Sequence, residues 1–110
     1  MFWILGGLAG LFWALPGGAG VGAAQAETYK VVIQDFAFHP PKLTVKVGDT
    51  VEFINRDGFA HTATKAGKGG FDTRELGTGK SLKITFRKAG VFNYGCSIHP
   101  SMEGQITVKK

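Results

Sequence analysis

The chain has very little cysteine: its 110 residues include one cysteine, two methionines and three histidines. A lone thiol cannot close an internal disulfide, so Cys96 is either a free reactive thiol or a ligand. One cysteine cannot bridge a pair of metal ions, and His39, His61 and His99 are too few to build two separate metal centres. Acidic residues are the minority charge, with 8 Asp+Glu against 13 Lys+Arg and a formal net charge of +5. Every one of these charges lies at or beyond Glu27. The basic residues are scattered over several predicted strands and no motif interleaves them with aromatics, which speaks against nucleic acid as a partner. Most are read as a solvated face that keeps a small domain soluble, with long-range attraction for anionic partners. Sustained helical periodicity is missing, and no helix of any length is predicted.

The first 26 residues contain no charged side chain. Phe2 to Leu15 is an apolar run; Pro16-Gly17-Gly18 follows, and Ala24-Gln25-Ala26 is a small-x-small cleavage signature. Residues 1–26 are therefore read as a signal peptide cut before Glu27. A basic start is lacking, and only the α-amino group supplies positive charge there. The alternative is an uncleaved membrane anchor, which Pro16, the many glycines and a short apolar run all weaken. Residues 27–110 are read as one small exported domain, periplasmic or otherwise secreted, and membrane-anchored only if the leader is retained.

Potential metal ligands concentrate in Asn93-Tyr94-Gly95-Cys96-Ser97-Ile98-His99-Pro100-Ser101-Met102-Glu103-Gly104, where Cys96, His99 and Met102 recur at intervals of three. A thiolate, an imidazole and a thioether are soft or intermediate donors, which favours copper over calcium, magnesium or manganese. Two histidines and a cysteine with a weak axial methionine make a blue-copper electron-transfer site, so a second histidine is required, and His61 is the candidate. The same spacing would also fit one face of a buried helix, but Pro100 has no backbone donor and Gly95 and Gly104 bracket the segment as turn residues do. A Cys96–His99 nucleophile and base is a further reading, although such partners usually come from distant parts of a chain. Zinc is a poorer fit, because Met102 would be an odd fourth ligand.

The remainder reads as short strands. Val31 and Ile33 alternate with Lys30, Val32 and Gln34, and the strand is expected to run to about Phe38, before Pro40-Pro41. Leu43, Val45 and Val47 form one face of a second strand, and Val51 and Phe53 belong to a third. The dipeptide Gly48-Asp49 between them has the composition of a hairpin turn. His39, beside the two prolines, is read as a surface or edge residue. A strand is expected from His61 to Thr64. The glycine-rich Lys65-Ala66-Gly67-Lys68-Gly69-Gly70 reads as a surface loop, re-anchored by Phe71. Leu82, Ile84 and Phe86 should share a buried face, as should Phe92, Tyr94 and Cys96, and Ile106 and Val108 should point inward on the last strand.

Tyr94-Gly95-Cys96-Ser97-Ile98-His99-Pro100-Ser101-Met102, preceded by Asn55-Arg56-Asp57-Gly58-Phe59-Ala60-His61-Thr62, resembles the cupredoxin family of blue copper proteins, with the short ligand spacings of its amicyanin-like branch. The resemblance extends over nearly all of residues 28–109. It implies an all-β, Greek-key β-sandwich of about seven to eight short strands, with a corner at Gly48-Asp49 and the first strand lying between the second and third. It also implies one type I copper ion, cycling between Cu(II) and Cu(I), on His61, Cys96, His99 and Met102. Asn55 is expected to bridge its loop to the backbone beside Cys96. Many relatives carry proline before this histidine, where this chain has Ala60.

The implied function is that of a one-electron carrier and not an enzyme, since nitrite reductases and multicopper oxidases need more histidines than remain. Its expected partners are redox proteins such as a cytochrome c or a dehydrogenase. They would dock transiently on a monomer around His99, against Phe59, Ala60, Pro100 and Ile98. The alternative is a copper-binding or copper-delivery module with no electron-carrier role.

Overall fold

The computed structural model describes residues 25–110, so the reading of residues 1–26 as a leader lies, except for its last two positions, outside the described residues. Nine strands form two sheets, and no helix occurs among the described residues. In chain order they are β1 (Thr28–Gln34), β2 (Ala37–His39), β3 (Lys42–Lys46), β4 (Thr50–Asn55), β5 (Thr64–Lys65), β6 (Phe71–Asp72), β7 (Ser81–Thr85), β8 (Gly90–Cys96) and β9 (His99–Lys109). One sheet has the order β3-β9-β8-β5-β6 and the other β2-β1-β4-β7. The expected sandwich is present, with nine strands rather than seven or eight.

Alternation decides which side chains fill the space between the sheets. Val31, Ile33, Val51 and Phe53 from one sheet and Ile106 from the other are all 0% exposed. Each such side chain contributes about 1.5–3 kcal/mol by leaving water. Aromatic rings cross the middle: Tyr94 packs at 4.7 Å from Phe38 and 5.5 Å from Phe53, and Phe71 lies between Phe53 and Phe86. Phe71 thus anchors the chain as its position after the glycine-rich loop implies. Phe92 is half-buried, while Tyr94 and Cys96 are buried, so the face carrying Cys96 points inward as alternation predicts.

Three local expectations give way. The first strand does not continue to Phe38. It reverses at Asp35 and Phe36, whose φ values of 54° and 56° make the left-handed turn that matches the twist of two antiparallel strands. Asp-Phe lacks the glycine that normally marks such a turn, which is why the sequence reads as one strand. At Gly48-Asp49 the chain makes a corner and not a hairpin: β3 pairs in parallel with β9, whereas β4 enters the other sheet beside β1. The corner agrees with the family resemblance, but β1 does not lie between β3 and β4, because β3 is in the other sheet. Asp49 builds the corner, its carboxylate accepting from the amides of Glu27 at 2.9 Å and Lys46 at 2.8 Å. Those two bonds, the Glu27 amide first, hold its carboxyl below the usual carboxylate range. Finally, Leu82 is 40% exposed despite its apolar pattern, because β7 is an edge strand that ends at Thr85, and Phe86 beyond it is the buried member.

Candidate metal centre

Cys96 ends β8 and His99 begins β9, so Ser97 and Ile98 form a tight hairpin tip. The register pairs Gly95 with Glu103 but Cys96 with His99, which leaves Pro100, Ser101 and Met102 as a bulge on β9. The segment expected as a loop is therefore a bulged hairpin. A bulge redirects side chains, and Met102 is turned inward, 2% exposed. The close crossing of the two strands requires glycine at position 95, where a Cβ would come within 2.8 Å of the Met102 carbonyl oxygen.

His61 comes from a segment far away in sequence. It forms an isolated bridge with Leu76, its carbonyl accepting from the Leu76 amide at 2.8 Å and its amide donating back at 3.2 Å. The expected strand from His61 to Thr64 is reduced to this bridge followed by β5. His61 is fully buried, yet its ring meets that of His99 at a centroid separation of 4.7 Å. One ligand atom each from His61, Cys96 and His99 falls within 4.8 Å of the others. Cys96 Sγ is 3.9 Å from His61 Nδ1 and 3.6 Å from His99 Nδ1. Metal–sulfur and metal–nitrogen bonds of about 2.3 and 2.0–2.1 Å, opened at about 120°, hold sulfur and nitrogen about 3.8 Å apart. The triangle is thus the size that one first-row metal ion fits. His39 stands apart from it, exposed at the end of β2 with its Nε2 3.0 Å from the Gln34 carbonyl.

The hydrogen bonds around the triangle set its orientation. Asp57 Oδ2 lies 2.8 Å from His61 Nε2, and an ionised carboxylate only accepts, so Nε2 carries the proton and Nδ1 presents its lone pair. The Phe36 amide, donating to Asp57 at 2.9 Å, is the main reason the Asp57 carboxyl stays below its usual range; the His61 ring and the Gly58 amide act in the same direction against desolvation. At Cys96, the Thr62 amide donates to Sγ at 3.2 Å. The Thr62 hydroxyl accepts from the Ser97 amide at 2.8 Å and clasps the hairpin tip to the His61 segment.

That clasp is the role expected of Asn55, and the structure assigns it to Thr62. The Asn55 amide nitrogen donates to the carbonyls of Phe59 at 2.8 Å and Leu76 at 2.7 Å, and its Oδ1 accepts from the Asp57 amide at 2.9 Å. Both donor hydrogens are used within the His61-bearing loop and its bridge, leaving none to reach β8. Asn55, 0% exposed, shapes the loop instead. Asp57, Thr62 and Phe36 were all missed in the sequence. Only Asp57 carried a signal, as a carboxylate four residues before the candidate histidine.

A buried thiol and two imidazoles, gathered at the strand ends of a Greek-key sandwich, define a small β-protein with one soft-donor metal site. The sequence matches the family of copper binding proteins, plastocyanin/azurin family, over residues 25–109, and the chain belongs to that family. It is 30% identical over 101 residues to amicyanin from Paracoccus denitrificans, covering 86% of this chain and 77% of that protein. To chloroplastic plastocyanin from Physcomitrium patens it is 31% identical over 102 residues, covering 80% and 61%. A solved structure of a reduced amicyanin mutant superposes with a TM-score of 0.71 at 30% identity, covering 74% of this chain and 82% of that one. A blue copper site is what family and donor set agree on, and copper is the cofactor.

Proposed function

We propose that this protein is an exported, monomeric one-electron carrier whose copper is held by His61, Cys96 and His99, with Met102 as a weak axial ligand. The observation that carries this reading is the packing of Cys96 Sγ at 3.6 and 3.9 Å from two imidazole Nδ1 atoms. Copper, when bound, supplies the one-electron couple. The protein supplies a set of donors that need not move when the charge changes. His61 is fixed by its bridge to Leu76 and by Asp57, and Cys96 by β8 and the Thr62 amide. Donors fixed in this way suit a metal whose two oxidation states prefer different geometries, and little movement permits fast transfer.

His99 is the half-buried member of the triangle, so the electron enters or leaves through its ring. Around it Phe59 is 60% and Ile98 43% exposed, and Pro100 is exposed too. These side chains form an apolar docking patch for a redox protein, a cytochrome c or a dehydrogenase, that binds weakly and leaves quickly. The net charge of +5 favours an acidic partner and makes the association rate fall with ionic strength.

The test is to express the full chain in an exporting bacterial host, load the product with Cu(II), and record its absorption and EPR spectra. An intense blue band, a narrow copper hyperfine splitting and reversible reduction by a cytochrome c without loss of metal are expected. Copper should also raise the melting temperature, since it binds the native state. A colourless protein would end the reading, and transfer of copper to the partner would replace it with copper delivery.

A further inference from the structure

Phe36 occupies a backbone conformation that suits glycine. Both Asp35 and Phe36 have left-handed φ values, 54° and 56°, which cost stability in an L-residue and are a genuine outlier for a bulky one. Turns of this kind normally take Asn-Gly or Asp-Gly, so replacing Phe36 by glycine would relieve the backbone. The phenyl ring does not offset the strain by filling the core, for it is 42% exposed. It stands instead against the metal site. Its centroid lies 4.9 Å from that of His61 at 88° and 4.9 Å from that of His99 at 82°, and 5.3 Å from Phe59 at 50°. The turn is also tied to the site through its backbone, because the Phe36 amide donates to the same Asp57 oxygen that receives His61 Nε2.

We propose that Phe36 is a positioning residue for the copper site: its strained turn holds an aromatic wedge against both imidazoles, fixing the His99 ring plane and keeping water from that side of the metal. This rests on the reading of His61 and His99 as ligands. With a thiolate in the set, the oxidised site carries one more positive charge than the reduced site. Water near the metal favours the more highly charged state, so an apolar cover favours reduction and raises the potential. A ring packed at right angles to His99 also restricts how far that half-buried imidazole swings away from the metal.

The exported, copper-loaded protein is compared with Phe36→Ala, Phe36→Gly and Phe36→Leu. All three keep the amide bond to Asp57, so they test the ring and not the backbone link. Ala and Gly should lower the midpoint potential to a similar extent, broaden the EPR spectrum and release copper to a chelator about tenfold faster. Gly should melt at a higher temperature than Ala, because it relieves the turn, while Leu should recover most of the potential. If Ala and Gly change the melting temperature but leave potential, EPR spectrum and copper release as in the wild type, the ring merely packs and the proposal fails alone. A wild-type protein that binds copper without a blue spectrum overturns the ligand assignment and this proposal together.

Discussion

Replacing Asn55 separates two accounts of how the His61 loop is held. The side chain is completely buried and makes three hydrogen bonds, each to backbone: Phe59 O, Leu76 O and Asp57 N. Asn55→Ala removes all three. The Leu76 carbonyl keeps a partner in the His61 amide, so the new orphans are the Phe59 carbonyl and the Asp57 amide. At about 1 kcal/mol net for each lost bond, with a further desolvation cost for groups left unpaired, the loss is about 3 kcal/mol. For a domain of this size that is a fall in melting temperature of roughly 12–24 °C. Asn55→Asp has nearly the same shape and keeps the acceptor for Asp57 N, yet sets a carboxylate against two carbonyl oxygens at 2.8 and 2.7 Å. Near neutral pH it should therefore destabilise more than alanine does, although it alters the shape less. Thermal melts of the three apo proteins at pH 7 decide the matter. If aspartate is tolerated as well as asparagine, or if alanine costs only a few degrees, the loop is held by something other than these bonds.

Thr62→Val retains the side chain's volume and the backbone donor to Cys96 but leaves the Ser97 amide without its acceptor at 2.8 Å, so a loss of about 1–3 kcal/mol and faster copper release in chelator competition are expected. Gly104→Ala drives a methyl group into the buried Tyr94 ring and should cost about 1–3 kcal/mol in denaturant melts, with recovery when Tyr94→Leu is added. Asp49 has a lowered pKa in the folded protein, so its contribution is fully present above the unfolded carboxyl value of about 3.9 and is lost as pH falls through the folded value. The melting temperatures of wild type and Asp49→Asn should therefore converge on acidification below about pH 4; a gap that stays constant down to pH 2.5 would exclude this linkage.

Much of the sandwich was legible because alternation is local. Val31, Ile33, Ile106 and Val108 point inward for the reason visible in the chain, that successive strand residues face opposite sides. The errors fall where a tertiary neighbour, and not the local pattern, decides. Leu82 looks inward by alternation, but β7 has a partner on one side only. Asp35-Phe36 reads as strand because neither residue signals a left-handed turn; the pairing of β2 onto β1 imposes it. Asn55 and Thr62 have equivalent hydrogen-bonding capacity on paper, and only the closeness of Thr62 to the hairpin tip shows which of them reaches Ser97.

The sequence by itself determined the kind of metal and most of its donors. Softness belongs to sulfur and imidazole wherever they lie, and Cys96, His99 and Met102 are too close in the chain to part. Only the folded molecule decided that His61 completes the set, with its Nδ1 3.9 Å from a thiol 35 residues away. It alone placed Asp57, Thr62 and Phe36 around the ligands. Those contacts join segments brought together by the packing of two sheets, and no spacing or periodicity along one strand records what lies across from it.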